Sequence, residues 1–552
     1  NLSKKYNVNS EKIVNNNNNI LDYGYYNEID KTLNYLINEL KIAPTNIEKC
    51  PSILYRNVAS IKYNIEFLRK TKIYFSNIES CLHVLTTESI ELEKTYMHII
   101  NNYGNDILNE GTIDNLKGTL YSSSSLSNLE NGTIQLAEVV SDKSSVQNSG
   151  TIQTLKGDFL ESIVNNDGDI VNLEVNFNDS NVENIGTINN FIGSATGYYG
   201  HYYGVVKNVG GTIDNLSVDF NANVVDDSFS YGAAIYNTSE INNITGDFTE
   251  NYVSAFGKAQ GGAIYNDGTV DNVTGDFTEN YAQTTGSGSA YGGAIYNDGN
   301  GAQISNVDAN FIGNYAQATG TGSAYGGAVY NAYQAYYGVG SILDNDTYSN
   351  NYAKAVSGEA KGGALYLDQV NNYPTVEIPN ISNSSFTGNY AESETGSVAG
   401  GALYNAANIG NGYLADYGLP EFSGIMNTTF ENNYVKSTDG SASGGAIYNE
   451  ESIGYDSFDE EHGRPEKFGI INSIFKNNYA KSENNAAYGG AIYNAGTIGD
   501  ISGIFEGNYA EGRYGNKGGA ISNSGEIVNI IGSFSQNYVR GEGAGGAIFN
   551  SG

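Results

Sequence analysis

The chain has 552 residues, in which 61 Asp and Glu outnumber 27 Lys and Arg, giving a formal net charge of −34. A surface with this excess of carboxylates repels nucleic acid and anionic membranes, so we expect no nucleic-acid partner. No apolar run approaches the roughly 18 residues that a membrane-spanning helix needs, so we expect no membrane insertion by this chain.

Residues 1–103 differ from the rest of the chain in charge and in pattern. They hold 12 basic and 11 acidic side chains, so the excess negative charge lies beyond them. Apolar residues recur at helical spacing in Ile29–Leu40 and Ile61–Leu68, and Pro44 and Pro51 punctuate the stretch between these segments. We predict a small α-helical module over residues 1–103 that serves as a cap or spacer.

The two cysteines of the chain, Cys50 and Cys81, both lie in this module. A disulfide between them requires that their helices abut, whereas buried cysteines otherwise behave as small apolar groups. The sequence leaves both alternatives open.

Residues 104–230 repeat a short Gly-Thr-Ile phrase at intervals of 21, 18, 36 and 25 residues, and the longest interval divides evenly at Gly168. The phrases begin at Gly111, Gly132, Gly150, Gly186 and Gly211. A repeat of this kind indicates one supersecondary unit stacked many times, because a single copy cannot bury its apolar face alone.

Residues 231–552 carry a longer repeat of about thirty residues in which two phrases alternate. Gly-Gly-Ala followed by an apolar residue occurs nine times, usually as GGAIYN, and Phe-x-x-Asn-Tyr stands between successive copies. The first phrase begins at Gly261, Gly292, Gly326, Gly362, Gly400, Gly444, Gly489, Gly518 and Gly545. The second begins at Phe248, Phe277, Phe311, Phe386, Phe430, Phe475, Phe505 and Phe534, with Tyr348 once in place of Phe.

Both repeat regions read as short alternating segments separated by Gly, Asn and Asp, with no ten-residue helical pattern between them. This pattern predicts an all-β fold, a right-handed parallel β-helix (a solenoid) preceded by the small α-helical module. Ile264, Val270, Val273 and Phe277 of one coil are predicted to point inward.

Four residues of the same coil are predicted to form its corners. Asn266 and Asn280 are placed where a left-handed backbone is tolerated and where side-chain amides can stack on the next coil. Gly261 and Gly262 are expected to allow a tight corner that larger residues would not fit.

Tyrosine is abundant, with 45 copies and no tryptophan. One repeat position holds it in nearly every coil, directly after the inward aliphatic residue, so strand alternation should turn the ring outward. We expect a stacked surface ladder that stabilises coil-on-coil packing, or alternatively a platform for sugars. Its members are Tyr236, Tyr265, Tyr296, Tyr330, Tyr366, Tyr404, Tyr448 and Tyr493.

Differences in repeat length fall between the GGAIYN strand and the next Phe, and the insertions 406–424 and 450–467 are the most unusual in content. Insertions in solenoids emerge on one face, which is often the binding face, although they are otherwise drifted loops. The candidate recognition residues in these two insertions are Tyr413, Tyr417, Tyr455, Phe458, Asp459 and His462.

The alternating GGA-[I/L/V] and Phe-x-x-Asn phrases resemble the signature of the chlamydial-type polymorphic outer-membrane proteins, a family of autotransporters. The resemblance covers about 320 residues. It implies a secreted passenger β-helix that acts as an adhesin and is tethered by a C-terminal barrel. The chain departs from the family in its helical N-terminal module and in the absence of a barrel segment, and similar repeats also occur in other bacterial surface β-helix proteins.

The sequence therefore predicts an extracellular or cell-surface β-helix that acts as an adhesin or rigid stalk, held at the outer membrane through a segment outside this chain. Gly552 falls partway through a repeat, so we expect the sequence to be a piece of a longer protein. The expected partner is a protein or glycan on a host or neighbouring cell. A purely structural spacer is one alternative.

The other alternative is a polysaccharide-binding or polysaccharide-degrading β-helix of the lyase or glycosidase type, because the fold permits it. Such chemistry needs a unique pair of carboxylates or a placed base and cation, whereas acids here recur at equivalent repeat positions, as at Asp247 and Asp276. The four histidines show no metal-ligand spacing, and no nucleophile or phosphate-binding motif is present. We expect no enzymatic activity, no cofactor and no metal.

Overall fold

A computed structural model of the chain describes residues 2–9, 26–55, 58–70, 98–101, 106–121, 124–298, 302–333, 342–369, 380–410, 422–454 and 467–552. Within these ranges, no helix is both long and apolar enough to cross a membrane. The chain divides into two units, Asn1–Val175 and Asn176–Gly552.

The first unit begins with short helical segments around a core of their own. Their bounds are Leu2–Tyr6, Tyr26–Asn34, the π-helical turn Tyr35–Glu39, Pro44–Lys49, the 3-10 turn Pro51–Tyr55, and Val58–Lys70. Leu33, Leu36, Ile47 and Ile61 are among the side chains buried between them. The predicted helical module is confirmed, and Pro44 takes the first position of its helix, where the missing N–H costs no hydrogen bond.

Cys50 is buried in this helical core, with its Sγ 3.5 Å from Ser52 Oγ. Burial raises the pKa of its thiol. Cys81 lies outside the described residues, so the question of a disulfide stays open.

The rest of the first unit is built from two kinds of strand that alternate along the chain, and each kind pairs in parallel with its own kind in the next coil. The sheet A strands are His98–Asn101, Thr112–Tyr121, Thr133–Asp142, Thr151–Leu160 and Asp169–Asn178. The sheet B strands are Ile107–Asn109, Ser125–Asn128, Ser145–Asn148 and Ile163–Asn166.

The second unit continues with the same two kinds of strand, again in parallel register. Its sheet A strands are Thr187–Thr196, Thr212–Asn221, Glu240–Thr245, Phe248–Thr249, Thr269–Thr278, Gln303–Ile312, Ile342–Asp344, Thr347–Ser349, Ile381–Ser382, Ser385–Thr387, Asn408–Ile409, Phe422–Met426, Thr429–Glu431, Ser452–Ile453, Lys467–Lys476, Thr497–Glu506 and Glu526–Ser535. Its sheet B strands are Asn181–Asn184, Val206–Asn208, Ile235–Asn237, Ile264–Asn266, Ile295–Asn297, Val329–Tyr333, Leu365–Gln369, Leu403–Asn405, Ile447–Asn449, Ile492–Asn494, Ile521–Asn523 and Ile548–Asn550.

The second unit also has two further parallel sheets. Sheet C contains Tyr199–Gly200, Val224–Asp227, Tyr252–Ala255, Tyr281–Thr284, Tyr315–Ala318, Tyr352–Ala355, Tyr390–Ser393, Tyr434–Ser437, Tyr479–Ser482, Tyr509–Glu511 and Tyr538–Arg540. Sheet D contains Ser230–Tyr231, Ala259–Gln260, Ala290–Tyr291, Ala324–Tyr325, Ala360–Lys361, Val398–Ala399, Ala442–Ser443, Ala487–Tyr488, Asn516–Lys517 and Gly543–Ala544.

One coil of the second unit therefore runs through sheets B, A, C and D before it reaches the next sheet B strand. All pairings between neighbouring coils are parallel, as in Val270 with Ile304 and Tyr281 with Tyr315. The predicted parallel β-helix is confirmed. The domain boundaries predicted at 103/104 and 230/231 stay predictions.

The interior of each long coil follows the predicted alternation. Ile264, Val270, Val273 and Phe277 are all fully buried, as predicted. Phe277 stacks between the same residues of its neighbours, with ring centroids 4.5 Å from Phe248 and 5.0 Å from Phe311. The side facing sheets C and D is instead filled almost wholly by alanine and valine, because those two sheets approach each other closely.

The Asn of Phe-x-x-Asn forms a buried ladder between sheets A and C. Asn280 Nδ2 donates to Phe248 O at 2.8 Å and to Asn314 Oδ1 at 3.0 Å. Its Oδ1 accepts from the backbone N and from Nδ2 of Asn251, both at 3.0 Å. Each amide thus connects the coil before it to the coil after it, and the fully buried side chain is satisfied by protein groups.

The Asn of GGAIYN forms a second buried ladder between sheets B and A. Asn266 Nδ2 donates to Asn297 Oδ1 at 2.7 Å and to Gly268 O at 3.0 Å. The ladder is interrupted once, where Leu367 stands between Asn331 and Asn405 in the register.

The predicted stacking of Asn266 and Asn280 is confirmed, but their predicted link to a left-handed backbone is wrong. The positive φ, 56°, belongs to Glu279, the residue before Asn280. The turn therefore precedes the amide, which leaves the Asn side chain free to point into the coil.

The Gly-Gly corner is confirmed. Gly261 has φ 68°, and a Cβ added at Gly262 would lie 2.0 Å from Gly293 O and 2.6 Å from Tyr281 N. A side chain at either position would be strained or would collide with the next coil.

Candidate recognition surface

The six predicted recognition residues, Tyr413, Tyr417, Tyr455, Phe458, Asp459 and His462, lie outside the described residues. Their role therefore stays a prediction. The strands on either side of the two insertions are described, and they show how each insertion leaves and rejoins its coil.

Both insertions interrupt sheet A at the same register position. Ile409 pairs with Ile453 before the insertions. After them, pairing resumes at Phe422 with Lys467 and continues through Gly424 with Gly469. In the next coil, Ile453 pairs with Ile498 and Gly469 pairs with Asp500, which are joined by a single residue.

The ends of each insertion are in contact. A Cβ added at Gly410 would lie 2.2 Å from Gly424 N, and one added at Gly454 would lie 2.0 Å from Gly469 N. Ser423 Oγ also donates to Gly410 O. The two insertions therefore have closed stems that lie side by side on successive coils.

Acidic side chains on sheet A follow the repeat, as the sequence indicated. Asp247 Oδ1 accepts from Asp276 N at 3.2 Å, and Asp219 Oδ1 accepts from Asp247 N at 3.1 Å. These exposed carboxylates bind backbone groups of the neighbouring coil. Across the described ranges, no three His, Cys, Asp or Glu residues are grouped so that they could hold a metal ion.

The tyrosines of GGAIYN stack as predicted, but the middle of the ladder is buried: Tyr265, Tyr296, Tyr330, Tyr366 and Tyr404. Tyr236, Tyr448 and Tyr493 are partly exposed. Tyr265 and Tyr296 have centroids 5.3 Å apart, and both rings are less than 9% exposed. Tyr291 of sheet D packs edge-on against Tyr296 and Tyr330, because the Gly-Gly corner folds the outer faces of sheets D and B toward each other. The rings fill this concave corner as a second aromatic core outside the coil, so they offer no platform there.

Carboxylates close the polar side of this second core. Tyr265 Oη donates to Asp298 Oδ2 at 2.8 Å, and Tyr404 Oη donates to Glu450 Oε2. Burial, reinforced by these carboxylates, raises the pKa of both phenols far above its ordinary value. Both phenols therefore stay protonated at physiological pH.

A second tyrosine ladder lies at the start of the sheet C strands, formed by the Tyr of Phe-x-x-Asn-Tyr. Tyr281, Tyr315 and Tyr352 stack with centroids 4.6–4.7 Å apart and are half-buried. Burial raises the pKa of Tyr315 and Tyr352 to about 12. The sequence reasoning passed over this ladder, although its spacing is as regular as that of the first.

A more exposed group of rings lies in the turns that follow sheet C in three successive coils and, for Tyr199, in the sheet C strand before the first of these turns. We call it the aromatic patch: Tyr199, Tyr202, Phe229 and Phe256, which are 56%, 47%, 47% and 68% exposed. The sequence reasoning also missed this group. Its signal is Gly197-Tyr-Tyr-Gly-His-Tyr-Tyr-Gly204 and the two Phe residues, which depart from the Gly- and Ser-rich turns of most later coils.

Residues 427–450 match the Chlamydia polymorphic membrane protein (Chlamydia_PMP) repeat. The chain carries a polymorphic membrane protein repeat. The matched segment holds one Phe-x-x-Asn-Tyr phrase and one Gly-Gly-Ala phrase, and it runs through Thr429–Glu431, Tyr434–Ser437, Ala442–Ser443 and Ile447–Asn449. The predicted resemblance to a surface β-helix passenger of this family is thereby confirmed. No curated protein and no solved structure matches the chain.

Proposed function

We propose that the chain is a surface-displayed, passenger-like β-helix that acts as an adhesin. The observation that carries this proposal is the polymorphic membrane protein repeat at residues 427–450, set in a parallel β-helix. That repeat points to a surface-exposed outer-membrane family. The proposal includes adhesion, extracellular placement and tethering through a segment outside this chain.

The structure supports a mechanism based on rigid display. Buried amide ladders and stacked rings connect every long coil to its neighbours, so the coils form a stiff support. The closed stems at Gly410/Gly424 and Gly454/Gly469 hold two insertions side by side on this support. Loops held by a rigid scaffold lose little entropy on binding, and neighbouring loops can contact one partner together. No chemical step is involved.

The experiment removes the insertions, together with the strand pairs Phe422–Lys467 and Ser423–Phe468 at their base, and keeps the register of the coils. Deleting residues 411–423 joins Gly410 to Gly424, and deleting 455–468 joins Gly454 to Gly469, which reproduces the uninterrupted register of Gly499 and Asp500. Labelled full chain and the double deletion are compared on intact epithelial cells and on a glycan array. A deletion of residues 334–341, which follows a sheet B strand, is the matched control.

We expect the full chain and the control deletion to bind cells and the double deletion to lose binding. Cell binding by the double deletion would show that the adhesive contact lies elsewhere on the β-helix and not in the insertions. The absence of any binding would favour a structural spacer, and cleavage of an array glycan would favour a polysaccharide-degrading enzyme; either result would contradict the proposal.

A further inference from the structure

The aromatic patch is a built surface rather than a chance exposure of apolar residues. Tyr202, Phe229 and Phe256 come from the turn that follows sheet C in three consecutive coils, which lie about 4.8 Å apart. Tyr199 begins the sheet C strand before the first of these turns and pairs with Val224. Tyr202 O accepts from Tyr231 N at 3.0 Å, so the first two coils are also hydrogen-bonded at the turn.

Two of the rings rest on glycines of the following coil. Carbons of the Phe229 ring would lie 2.9 and 3.2 Å from a Cβ added at Gly257, and carbons of the Phe256 ring would lie 3.0 Å from one added at Gly286. A larger residue at either glycine would lift the ring away. The glycines therefore let each ring lie against the backbone with its remaining surface open to solvent.

The first turn of the patch is also strained. Tyr202 has φ 66°, a left-handed conformation that bulky residues rarely adopt. Strain of this kind persists where the surrounding structure enforces it, often at binding sites. Here it projects the Tyr202 side chain outward between His201 and Tyr203.

Polar groups lie between the rings. Tyr199 Oη is 3.4 Å from Asp226 Oδ2, and His201 Nδ1 is 3.6 Å from Asp227 Oδ2, with the imidazole 73% exposed. The patch thus combines exposed ring surfaces with hydroxyl, imidazole and carboxylate groups. Its exposed large side chains are all aromatic, whereas exposed aliphatic residues such as Ile185 and Ile192 lie outside these turns.

We propose that the aromatic patch binds a neutral glycan. The C–H groups on one face of a pyranose ring carry partial positive charge, which matches the negative face of an aromatic ring. The sugar hydroxyls can exchange hydrogen bonds with Asp226, Asp227 and His201. An acidic glycan is disfavoured by those carboxylates and by the net charge of −34.

A protein partner fits these observations less well. Protein interfaces concentrate their affinity where a side chain enters a well-packed, fully desolvated pocket. The patch instead offers rings that lie against glycine backbone at the surface. This inference rests on the proposed adhesin function and names the ligand class of one of its surfaces.

The test separates ring chemistry from apolar area. The double variant Phe229→Leu/Phe256→Leu keeps apolar side chains but removes the ring faces, whereas Phe229→Tyr/Phe256→Tyr keeps the rings. Ile185→Ala, at a side chain 57% exposed, is the matched control for loss of a surface apolar group. Full-length variants are measured on an array of neutral and sialylated glycans and on intact cells, with circular dichroism to confirm folding.

We expect wild type, the Tyr variant and the Ile185 control to bind a neutral glycan, and the Leu variant to bind it about tenfold more weakly. Equal binding by the Leu variant, binding only to sialylated glycans, or no glycan binding would each overturn the proposal. Neutral-glycan binding by the Leu variant equal to that of wild type, together with cell binding that is lost in the double insertion deletion, would overturn the glycan site while leaving the adhesin function intact. If wild type does not bind cells at all, the adhesin function itself is contradicted.

Discussion

The short coils of the first unit and the long coils of the second have two sheets in common, and the long coils have two more. Both have sheets A and B and the Asn ladder between them, seen in Asn148 Nδ2 donating to Asn166 Oδ1 at 2.7 Å and in Asn266 to Asn297 at the same distance. In the long coils, sheets C and D and the Gly-Gly corner stand where the short coils pass directly from sheet A to sheet B.

The residue after the left-handed turn at the end of sheet A differs between the two kinds of coil, and the difference shows what sheets C and D require. In the short coils it is serine: Ser162 Oγ donates to Leu160 O at 2.7 Å and accepts from Ser144 N at 3.2 Å. In the long coils it is asparagine, whose amide reaches the coils on both sides. A serine is enough where sheet B follows at once, whereas a wider coil needs a group that satisfies backbone atoms farther apart.

The largest expected difference between the two units is their response to alkali. Burial raises the pKa of Tyr315, Tyr352 and Tyr390 to about 12, above the ordinary value near 10. The folded state therefore keeps protons that the unfolded state releases, so this stability is complete below pH 10 and is lost as the pH rises through 12. Among the described residues 106–175, which form the short coils, Tyr121 is the one tyrosine, so within the β-helix the loss should fall on the long coils.

The measurement is tyrosinate absorbance followed together with far-ultraviolet circular dichroism. At pH 10.5 the native chain should show much less tyrosinate than the same chain in guanidinium, and ionisation should coincide with loss of β-sheet signal. Changing Tyr315, Tyr352 and Tyr390 to Phe keeps the ring stack and should raise the alkaline midpoint. An unchanged midpoint would show that the ladder does not link pH to stability.

The next largest effect is expected at the corner that only the long coils possess. Gly262→Ala should destabilise the second unit by about 3 kcal/mol, because the new Cβ would lie 2.0 Å from Gly293 O. Guanidinium unfolding of the variant and of wild type is the measurement, and equal midpoints would contradict the role given to the corner.

The asparagine ladder tests the comparison between the units directly. Asn280→Ala removes an acceptor of Asn251 N and a donor to Phe248 O and leaves buried groups unsatisfied, so we expect a loss of about 2–3 kcal/mol. Asn280→Ser, which copies Ser162 of the short coils, should cost more than half of this if coil width is the reason for asparagine. A serine variant as stable as wild type would show that the two residues are interchangeable. Hydrogen exchange across residues 252–293 would locate the effect.

The smallest effect is expected from the charged groups on sheet C. Glu511 lies 3.2 Å from Lys481 Nζ and 3.5 Å from Arg540 Nη1, in ion pairs that are partly exposed to solvent. Glu511→Gln should change the free energy of unfolding by less than about 0.5 kcal/mol. The measurement is thermal unfolding in buffer without guanidinium, because that salt would screen the charges. A larger loss of stability would mean that ion pairs, as well as amide hydrogen bonds and stacked rings, hold the long coils in register.

The parts of the fold that depend on periodicity could be predicted from the sequence. Alternation alone identifies Val270 and Phe277 as interior residues, because a parallel coil gives every inward position the same surroundings. The burial of Tyr265 could not be predicted in this way. Alternation correctly turns the ring outward, but its cover comes from Tyr231 and Tyr296, and that contact depends on the angle of the Gly-Gly corner.

The candidate site was less accessible to sequence reasoning. The insertions stand out because they break the repeat, and the closed stems at Gly410 and Gly454 explain why the repeat resumes without a shift. The aromatic patch was missed because Phe229 and Phe256 occupy turns whose length stays nearly constant. The residue types in these turns change from one coil to the next, but the number of residues between the repeat phrases does not. A search for changes in repeat length therefore does not find them.

The closed stems at Gly410/Gly424 and Gly454/Gly469 also bear on how such a surface can vary over time. Since each inserted segment begins and ends at touching glycines, its length and composition can change without altering the register of any strand. Recombination or replacement at these two points exchanges what is displayed while the support is inherited intact. The same junctions are therefore suitable sites for grafting foreign peptides onto this β-helix.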